Sequence, residues 1–374
     1  MAIRPLFVAP FGEYGGSEMV LLRVIEDLGE RFEGRALLLG PGPLERMLSE
    51  SGLSVDVEPM LGKRALVRFP AAAAAWARRL EDERIDMIHA NQAKAAIFST
   101  FLARRLRIPL LWMKHDHFFD GRVAQAIGRR CDHVVCVSHT MAAQFTDEMP
   151  ERVSVVYPGV RMPPPPKARP TGPVIATVGR LDPLKAFGSV IRAVHLLRER
   201  GHDAKARLAG PVDRVYPEHA TELRALVAEL DLEGHVTIGF LDDLDEHYRS
   251  ARVLVLSSPP KPGGLPSEGA PTVLMEAMAH GTAVAAARQP GTEEVMGEVG
   301  TLVDDLSPEG WANALEPYLR DPKLAAQVGR EGRVRAEERF TMHRTVEQLE
   351  ELYERVAARG RAPRRPGGVV RARY

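Results

Sequence analysis

Residues 157–173 read YPGVRMPPPPKARPTGP, and this proline-rich stretch decides how the chain is organised. Proline removes backbone donors and holds the chain extended, so the stretch is predicted to be a linker. On both sides of it, short apolar runs alternate with longer amphipathic stretches. That alternation indicates repeated βαβ units. The predicted strands are 3–8, 36–40, 53–57, 85–89, 108–114, 133–138 and 153–157 before the linker, and 174–179, 205–210, 236–240, 253–258 and 283–287 after it.

This organisation predicts an α/β protein with two facing, doubly wound, Rossmann-like domains and a cleft between them. The predicted domains cover residues 1–160 and 174–342, because 374 residues suffice for two domains of ordinary size. Helical stretches are predicted over 307–320, 322–338 and 343–359. Ligands of such folds bind at the carboxyl ends of the strands. A functional site is therefore expected in the loops that follow the strands.

The composition excludes several classes of protein. Hydrophobic residues make up 45% of the chain and charged residues 27%, which is typical of a soluble globular protein. Lys plus Arg and Asp plus Glu both number 50, which argues against a nucleic-acid partner. The two cysteines, Cys131 and Cys136, are too few for a disulfide framework or a four-ligand zinc site. With no apolar run of about eighteen residues, a cytoplasmic protein is expected.

Two nucleotide-binding signatures are absent from the sequence. No Gly-x-Gly-x-x-Gly follows the first predicted strand, and no Gly-x-x-x-x-Gly-Lys-Ser/Thr is present. Their absence argues against a dinucleotide oxidoreductase and a P-loop NTPase. An acidic cluster at residues 242–246 could hold a divalent ion on a diphosphate, but the acidic first turn of a helix is the favoured interpretation.

The most informative segment is residues 266–281, PSEGAPTVLMEAMAHG. Glu268 lies in a loop that leaves a strand, and Pro271 suits the first position of a helix. The amides that follow would then face the cleft and bind anions or hydroxyls. Glu276 falls in the second turn among apolar neighbours, whereas a solvated glutamate would have polar ones. A carboxylate that accepts both hydroxyls of a ribose explains this placement; ordinary solvent exposure is the alternative.

Basic residues follow the first strand of the second domain. Gly179 lets the backbone approach a ligand, and Arg180 and Lys185 place two positive charges at a strand-to-helix turn. These charges could neutralise a diphosphate without a metal ion; an exposed pair of basic side chains is the alternative.

The first domain offers two further oxygen-binding loops. Gly15 and Gly16 precede a helix that Ser17 is predicted to cap, although a plain flexible connection would look similar. Residues 114–117, KHDH, follow the 108–114 strand. Within them His115 is the candidate contact for a transferred sugar, and a structural histidine is the alternative.

Together these motifs resemble the family-four retaining glycosyltransferases with the GT-B fold, such as the glycogen-synthase-like and phosphatidylinositol mannosyltransferase-like enzymes. The resemblance covers nearly the whole chain. It rests on Gly15-Gly16, His115-Asp116, Gly179-Arg180 with Lys185, Gly239-Phe240, and Glu268-Gly269-Ala270-Pro271 through Glu276. The chain departs from the family at Ala186, where glycine is usual, and at Ala283, where proline is usual.

The resemblance implies a role for each of these residues. Arg180 and Lys185 would hold the donor diphosphate, and Glu276 the ribose. His115 would touch the sugar near its 6-hydroxyl. Glu268 and the segment Gly269-Ala270-Pro271-Thr272, through its free backbone amides, would contact the sugar. The Gly15–Gly16 loop would contact the donor, and Phe240 with Leu241 would contact the base. The resemblance also implies that the helix at 343–359 crosses back onto the first domain.

The sequence therefore predicts a retaining glycosyltransferase that moves a sugar from a nucleoside diphosphate donor to a hydroxyl acceptor. The acceptor could be lipid-linked, a glycan or a small molecule. Neither a metal ion nor a cofactor is expected, since the nucleotide sugar is a co-substrate. The alternatives are a sugar-nucleotide epimerase or phosphorylase of the same fold, or a catalytically silent nucleotide-sugar-binding protein.

Two stretches without acidic residues suggest peripheral contact with an anionic membrane. Residues 59–80 contain five basic side chains, with Leu66, Phe69, Trp76 and Leu80 available for apolar insertion. The five are Lys63, Arg64, Arg68, Arg78 and Arg79. Residues 101–112 add Arg104, Arg105 and Arg107. Two ordinary amphipathic helices are the alternative. The basic tail at 361–374 is predicted to be disordered, with an anionic-surface anchor as its alternative.

Overall fold

The computed structural model describes residues 2–13, 15–60, 62, 65–165, 172–240 and 243–361. Several predictions fall elsewhere in the chain. Leu241, Asp242, Lys63, Arg64, linker residues 166–171 and the tail after residue 361 lie outside the described residues.

Seven strands before the linker form one parallel sheet. They are β1 (Pro5–Ala9), β2 (Arg35–Leu38), β3 (Ser54–Val57), β4 (Met87–Asn91), β5 (Leu110–Lys114), β6 (His133–Cys136) and β7 (Val153–Val155). The helices between them are α1 (Gly16–Asp27), α2 (Leu44–Glu50), α3 (Ala65–Arg79), α4 (Gln92–Leu106), α5 (Arg122–Gly128) and α6 (His139–Thr146). The strand order is β3-β2-β1-β4-β5-β6-β7.

Six strands after the linker form a second parallel sheet. They are β8 (Val174–Val178), β9 (Lys205–Ala209), β10 (Val236–Gly239), β11 (Val253–Leu256), β12 (Ala283–Ala287) and β13 (Thr301–Val303). The helices are α7 (Phe187–Glu199), α8 (His219–Glu229), α9 (Leu244–Arg249), α10 (Thr272–Ala279), α11 (Pro290–Met296), α12 (Pro308–Arg320), α13 (Pro322–Arg339) and α14 (Met342–Arg361). The strand order is β10-β9-β8-β11-β12-β13.

Continuous apolar runs form the central strands because helices cover both faces of each sheet. Every residue of β1, β4, β5 and β12 is buried, as expected for parallel sheets. The predicted α/β fold with two doubly wound sheets is thus confirmed. Most strands are shorter than predicted, and the three-residue β13 was not among the predicted strands.

Each sheet has one topological switch point. In the first sheet it lies between β1 and β4, and in the second between β8 and β11. The connections leaving the two strands go to opposite sides there, which opens a crevice at the carboxyl ends. The loops after β1, β4, β8 and β11 therefore line the two crevices.

The last helix returns to the first sheet. α14 packs against α1 and β4. Its Tyr353 is buried, and the Tyr353 hydroxyl lies 2.6 Å from Nδ1 of His89 on β4. Contacts of this kind join the end of the chain to the first half.

Most of the apolar side chains predicted to insert into a membrane belong to the core. Phe69, Trp76 and Leu80 are buried, because α3 packs against α4. Trp76 also donates a hydrogen bond to Glu58. Only Leu66 of that set is exposed. Each helix in the described part of the chain is too short or too polar to span a bilayer.

Candidate active site

The loop after β1 brings two glycines to the first crevice. Gly15 is the N-cap of α1 in an extended conformation, and Gly16 is the first helical residue. The predicted cap at Ser17 is wrong, because Ser17 lies inside α1 and its hydroxyl donates to Glu18 Oε2 at 2.8 Å. A side chain at position 15 would collide with that same carboxylate oxygen. A larger residue at position 15 would therefore require the Glu18 side chain to shift.

A buried polar group that was not predicted from the sequence lies beside these glycines. Glu18 is 4% exposed, and burial raises its pKa to about 7. Gln92 donates to Glu18 Oε1 at 3.0 Å and has a φ of 69°, a left-handed conformation that is strained for a residue with a side chain. Its neighbour Asn91 is buried and donates to the Ser17 carbonyl. Gln92 directly follows β4, the strand at the switch point, and this position is the feature of the sequence that could have indicated a site residue.

The loop after β5 is held by a buried lysine. The Lys114 ammonium donates to the carbonyls of Asp116 and Phe118 and lies 2.7 Å from Asp120 Oδ1. These contacts fix the loop that carries His115. Burial lowers the pKa of His115 to about 3, so the imidazole is neutral at physiological pH. Among the described residues, no group lies within hydrogen-bond distance of its buried Nε2.

Two loops from opposite sheets meet at Gly269. A Cβ at this position would lie 2.7 Å from the His115 carbonyl oxygen. Only glycine therefore permits the loop after β11 to approach the loop after β5. This contact places the Glu268–Pro271 segment against the backbone of the loop that carries His115. Ala270 and Pro271 beside it are buried.

Lys185 and Glu268 form an ion pair in this crevice. Nζ of Lys185 lies 2.8 Å from Glu268 Oε1 and donates to Ser258 Oγ at 3.4 Å. Burial alone would raise the pKa of Glu268, but the charge and hydrogen bond of Lys185 lower it overall. The cation expected at the diphosphate and the carboxylate expected at the sugar are therefore adjacent and mutually stabilised.

Arg180 is held by two carboxylates. Its guanidinium lies 3.3 Å from Asp182 and 3.5 Å from Asp213, and its side chain is 54% exposed. The two carboxylates thus orient the guanidinium, whereas a solvated surface arginine has no fixed orientation. The exposed edge of the guanidinium remains accessible to a ligand.

The turn after β8 shows why glycine suits position 186, where this chain has alanine. Asp182 accepts a hydrogen bond from the Lys185 amide and starts a short 3-10 turn. Ala186 then ends that turn and caps α7 with a φ of 50°. Glycine adopts this left-handed conformation without strain, whereas alanine does not. The backbone keeps the required shape at a local cost.

Glu276 occupies the second turn of α10. That helix begins at Thr272, so Pro271 is its N-cap and not, as predicted, its first helical residue. Both carboxylate oxygens of Glu276 are engaged: Oε1 accepts from Arg23 at 2.6 Å, and Oε2 accepts from the Tyr248 hydroxyl at 2.5 Å. Glu276 is not the freely solvated residue of the alternative interpretation, because its side chain is only 13% exposed.

The remaining predicted residues lie at the rim of the second sheet. Phe240 follows β10 with an exposed ring. Asp243 accepts from the Glu246 amide at 2.9 Å and caps α9, while Asp245 pairs with His280. In the described part of the chain, no three His, Cys, Asp or Glu side chains converge in a way that could hold a metal ion.

Comparisons with known proteins identify the family of the chain. The family Glycosyl transferases group 1 matches residues 162–335, and Glycosyltransferase Family 4 matches residues 14–162. A D-inositol 3-phosphate glycosyltransferase of Corynebacterium glutamicum (strain R) is 30% identical over 381 residues, which are 90% of this chain and 84% of that protein.

A second relative covers less of the chain. It is a GDP-mannose-dependent alpha-(1-6)-phosphatidylinositol monomannoside mannosyltransferase of Mycolicibacterium smegmatis, 30% identical over 226 residues, 55% of this chain and 58% of that protein. Among solved structures, Anabaena Alr3699/HepE in complex with UDP and glucose superimposes with a TM-score of 0.77 at 23% identity, covering 94% of this chain and 99% of that one. This likeness concerns the fold. The chain therefore belongs to glycosyltransferase family 4, and it is a retaining, GT-B-fold enzyme that takes its sugar from a nucleotide-sugar donor.

Proposed function

We propose that this enzyme transfers a hexosyl group to a hydroxyl acceptor without a metal ion, using its own cations at the donor diphosphate. The observation that carries the proposal is the Lys185–Glu268 pair, which lies where the loop after β11 meets the loop that carries His115. Lys185 pairs with Glu268 at 2.8 Å, and Gly269 touches the His115 backbone. A cation and a carboxylate thus lie next to the backbone of the loop that carries the neutral His115.

In this proposal Arg180 and Lys185 bind the diphosphate. Arg180 is oriented by Asp182 and Asp213, so little side-chain entropy is lost when a phosphate binds. Lys185 has three N–H donors, so it can keep its hydrogen bond to Glu268 while it donates another to a phosphate oxygen. The amides of Gly15 and Gly16 at the start of α1 add positive dipole ends from the other sheet.

The sugar would lie between the two sheets. Glu268 accepts hydrogen bonds from its hydroxyls, the amides of Gly269, Ala270 and Thr272 donate to them, and His115 Nε2 contacts the 6-hydroxyl. Because burial keeps His115 neutral, this contact adds no charge beside the reacting carbon. Glu276 binds the ribose, and the base lies by Phe240.

The proposed reaction is a same-face displacement. The bond between the anomeric carbon and the diphosphate oxygen breaks, and its electron pair goes to the diphosphate. A new bond forms from the acceptor oxygen to the same face of that carbon, and the acceptor proton passes to the departing phosphate oxygen. Arg180 and Lys185 stabilise the negative charge as it develops. The products are a nucleoside diphosphate and a glycoside of unchanged anomeric configuration.

The proposal is tested by measuring sugar transfer with and without a metal chelator. GDP-mannose and UDP-glucose are incubated with D-inositol 3-phosphate or phosphatidylinositol monomannoside, the acceptors that the relatives' names give. Product with retained configuration in excess EDTA supports the proposal. Loss of activity that magnesium restores overturns metal independence. Release of an epimerised or phosphorylated sugar without acceptor points to the epimerase or phosphorylase alternative, and nucleotide binding without turnover points to a silent binding protein.

A second part of the proposal concerns the membrane. We propose that α3 and α4 touch an anionic bilayer at its surface. Leu66 and Val67 at the start of α3 are exposed, Val67 by 81%, and Phe101 on α4 is partly exposed. Exposed arginines accompany them at positions 68, 78, 104, 105 and 107. Apolar side chains flanked by arginines are typical of interfacial helices.

Vesicle co-sedimentation tests this contact. Binding to vesicles with 30% anionic lipid is expected to exceed binding to neutral vesicles and to fall with salt, since each nearby arginine contributes about 1 kcal/mol. Val67→Glu should reduce it, whereas Val334→Glu, at an exposed valine of α13, should not. Equal recovery on both vesicle types excludes the membrane contact and leaves the transferase assignment unaffected.

A further inference from the structure

Arg23 connects the first sheet's helix layer to the predicted ribose carboxylate. It lies on α1, whereas Glu276 lies on α10, 253 positions further along the chain. Nη1 of Arg23 is 2.6 Å from Glu276 Oε1, and the two side chains are 24% and 13% exposed. The pair is therefore mostly withdrawn from water, where a charged hydrogen bond is stronger than at an open surface.

The position of Arg23 on α1 adds a second observation. Arg23 is seven residues after Gly16, so it lies two turns further along the same face of the helix. One rigid element thus presents both the glycine loop, proposed to contact the donor, and the guanidinium that reaches Glu276. Any movement of α1 away from the second sheet would separate both from the donor site together.

The contacts of Glu276 leave room for a ligand. A carboxylate has about four lone-pair positions. Arg23 and the Tyr248 hydroxyl use one on each oxygen, so one position per oxygen remains for the two ribose hydroxyls. Tyr248 is fully enclosed, and burial raises its pKa well above the ordinary value, so it remains a neutral donor. Among the described residues, Arg23 is thus the basic side chain that forms an ion pair with Glu276.

We infer that Arg23 is a positioning residue for the ribose site: it holds the Glu276 carboxylate in the correct orientation, so that the site is complete only when both sheets are together. The inference rests on the proposed role of Glu276. It makes donor affinity depend on domain closure, and by linkage a bound nucleotide favours closure to the same extent. A contact that merely blocked the carboxylate would have the opposite effect on affinity.

The test compares nucleotides with and without the 2′-hydroxyl. UDP and GDP are titrated calorimetrically into the wild-type protein, and the tighter binder and its 2′-deoxy form are then used with the variants. Arg23→Gln is expected to weaken binding of the ribonucleotide by about tenfold. Binding of the deoxynucleotide should weaken less, so discrimination between the two falls. Arg23→Lys, which keeps the charge, should recover part of the difference.

Controls separate this inference from simpler explanations. Arg31→Gln removes an equal charge from an exposed pair with Glu354 and should leave both affinities unchanged. Glu276→Gln should abolish the discrimination, and adding Arg23→Gln to it should cost little more. If Glu276→Gln has no effect, the ribose role itself fails. If Glu276→Gln acts but Arg23→Gln weakens both nucleotides equally, Arg23 is only a structural bridge; tighter binding by Arg23→Gln shows that it blocks the site. Either result overturns the inference.

Discussion

Lys185 and Glu268 are paired at 2.8 Å, although they lie 83 positions apart in the chain. The lysine belongs to the turn after β8 and the glutamate to the loop after β11, the two strands that flank the switch point of the second sheet. Each charge is largely enclosed and is stabilised by the other. A donor diphosphate that enters this crevice therefore meets a cation that is already oriented.

Removal of that cation should change both the rate and its pH dependence. In Lys185→Ala we expect kcat to fall by about 10²- to 10³-fold, the usual effect of losing one group that stabilises developing negative charge. Without Lys185, the largest contributions that oppose burial are lost and the pKa of Glu268 rises, so the acid limb of the kcat/KM profile moves to higher pH. Lys205→Ala, at an exposed ammonium on β9, serves as the control. An acid limb that stays in place in Lys185→Ala would contradict the pairing.

The buried Glu18 makes stability depend on pH. Its pKa rises from 4.5 to about 7 on folding because of burial, so the folded chain binds this proton more tightly than the unfolded chain. The stability gained from binding this proton is complete below about pH 4.5, and it is lost as the pH rises through 7. Its size is at most about 3 kcal/mol. The thermal stability of Glu18→Gln relative to wild type should therefore increase when the pH is raised from 5 to 8.

Scanning calorimetry at the two pH values measures this difference for Glu18→Gln. The exposed Glu233→Gln provides the matched control, and its unfolding midpoint should follow the wild type at both values. A Glu18→Gln midpoint that also follows the wild type would show that Glu18 ionises normally in the folded chain.

Ala186→Gly should stabilise the protein. Alanine at this position has a φ of 50°, and relief of the left-handed strain is expected to outweigh the backbone entropy of glycine by roughly 0.5–1 kcal/mol. Denaturant unfolding measures the change. Ala225→Gly, at an exposed position inside α8, should instead destabilise by about 1 kcal/mol. Equal losses in both variants would refute the strain at position 186.

Gly269→Ala should impair catalysis more than stability. The added methyl group would lie 2.7 Å from the His115 carbonyl, so the two loops must separate and the proposed sugar site widens. We expect kcat/KM to fall by about 100-fold, as for a misplacement of about 1 Å, with a smaller change in the affinity for the nucleoside diphosphate. In Gly188→Ala the added methyl group meets only Leu226 at an ordinary 3.6 Å, and wild-type activity is expected. Wild-type kcat/KM in Gly269→Ala would show that this loop contact is not needed for transfer.

The sequence alone determined the fold, because strand and helix periodicities are local properties. The alternation around residues 157–173 predicted two parallel sheets, and the glycines and charges after predicted strands marked the loops at their carboxyl ends. Position 186 was also visible in the sequence as a departure from glycine. Its left-handed backbone conformation became evident only in the folded chain.

Only the tertiary structure decided which of these groups meet. The Arg23–Glu276 and Lys185–Glu268 pairs join residues far apart in the chain, and their formation depends on how two sheets and their loops pack. Local patterns contain no information about such distances. For the same reason Phe69 was predicted to be available for a membrane, although α3 turns it into the core. Burial, which also sets the altered pKa of Glu18 and His115, is a property of the assembled fold.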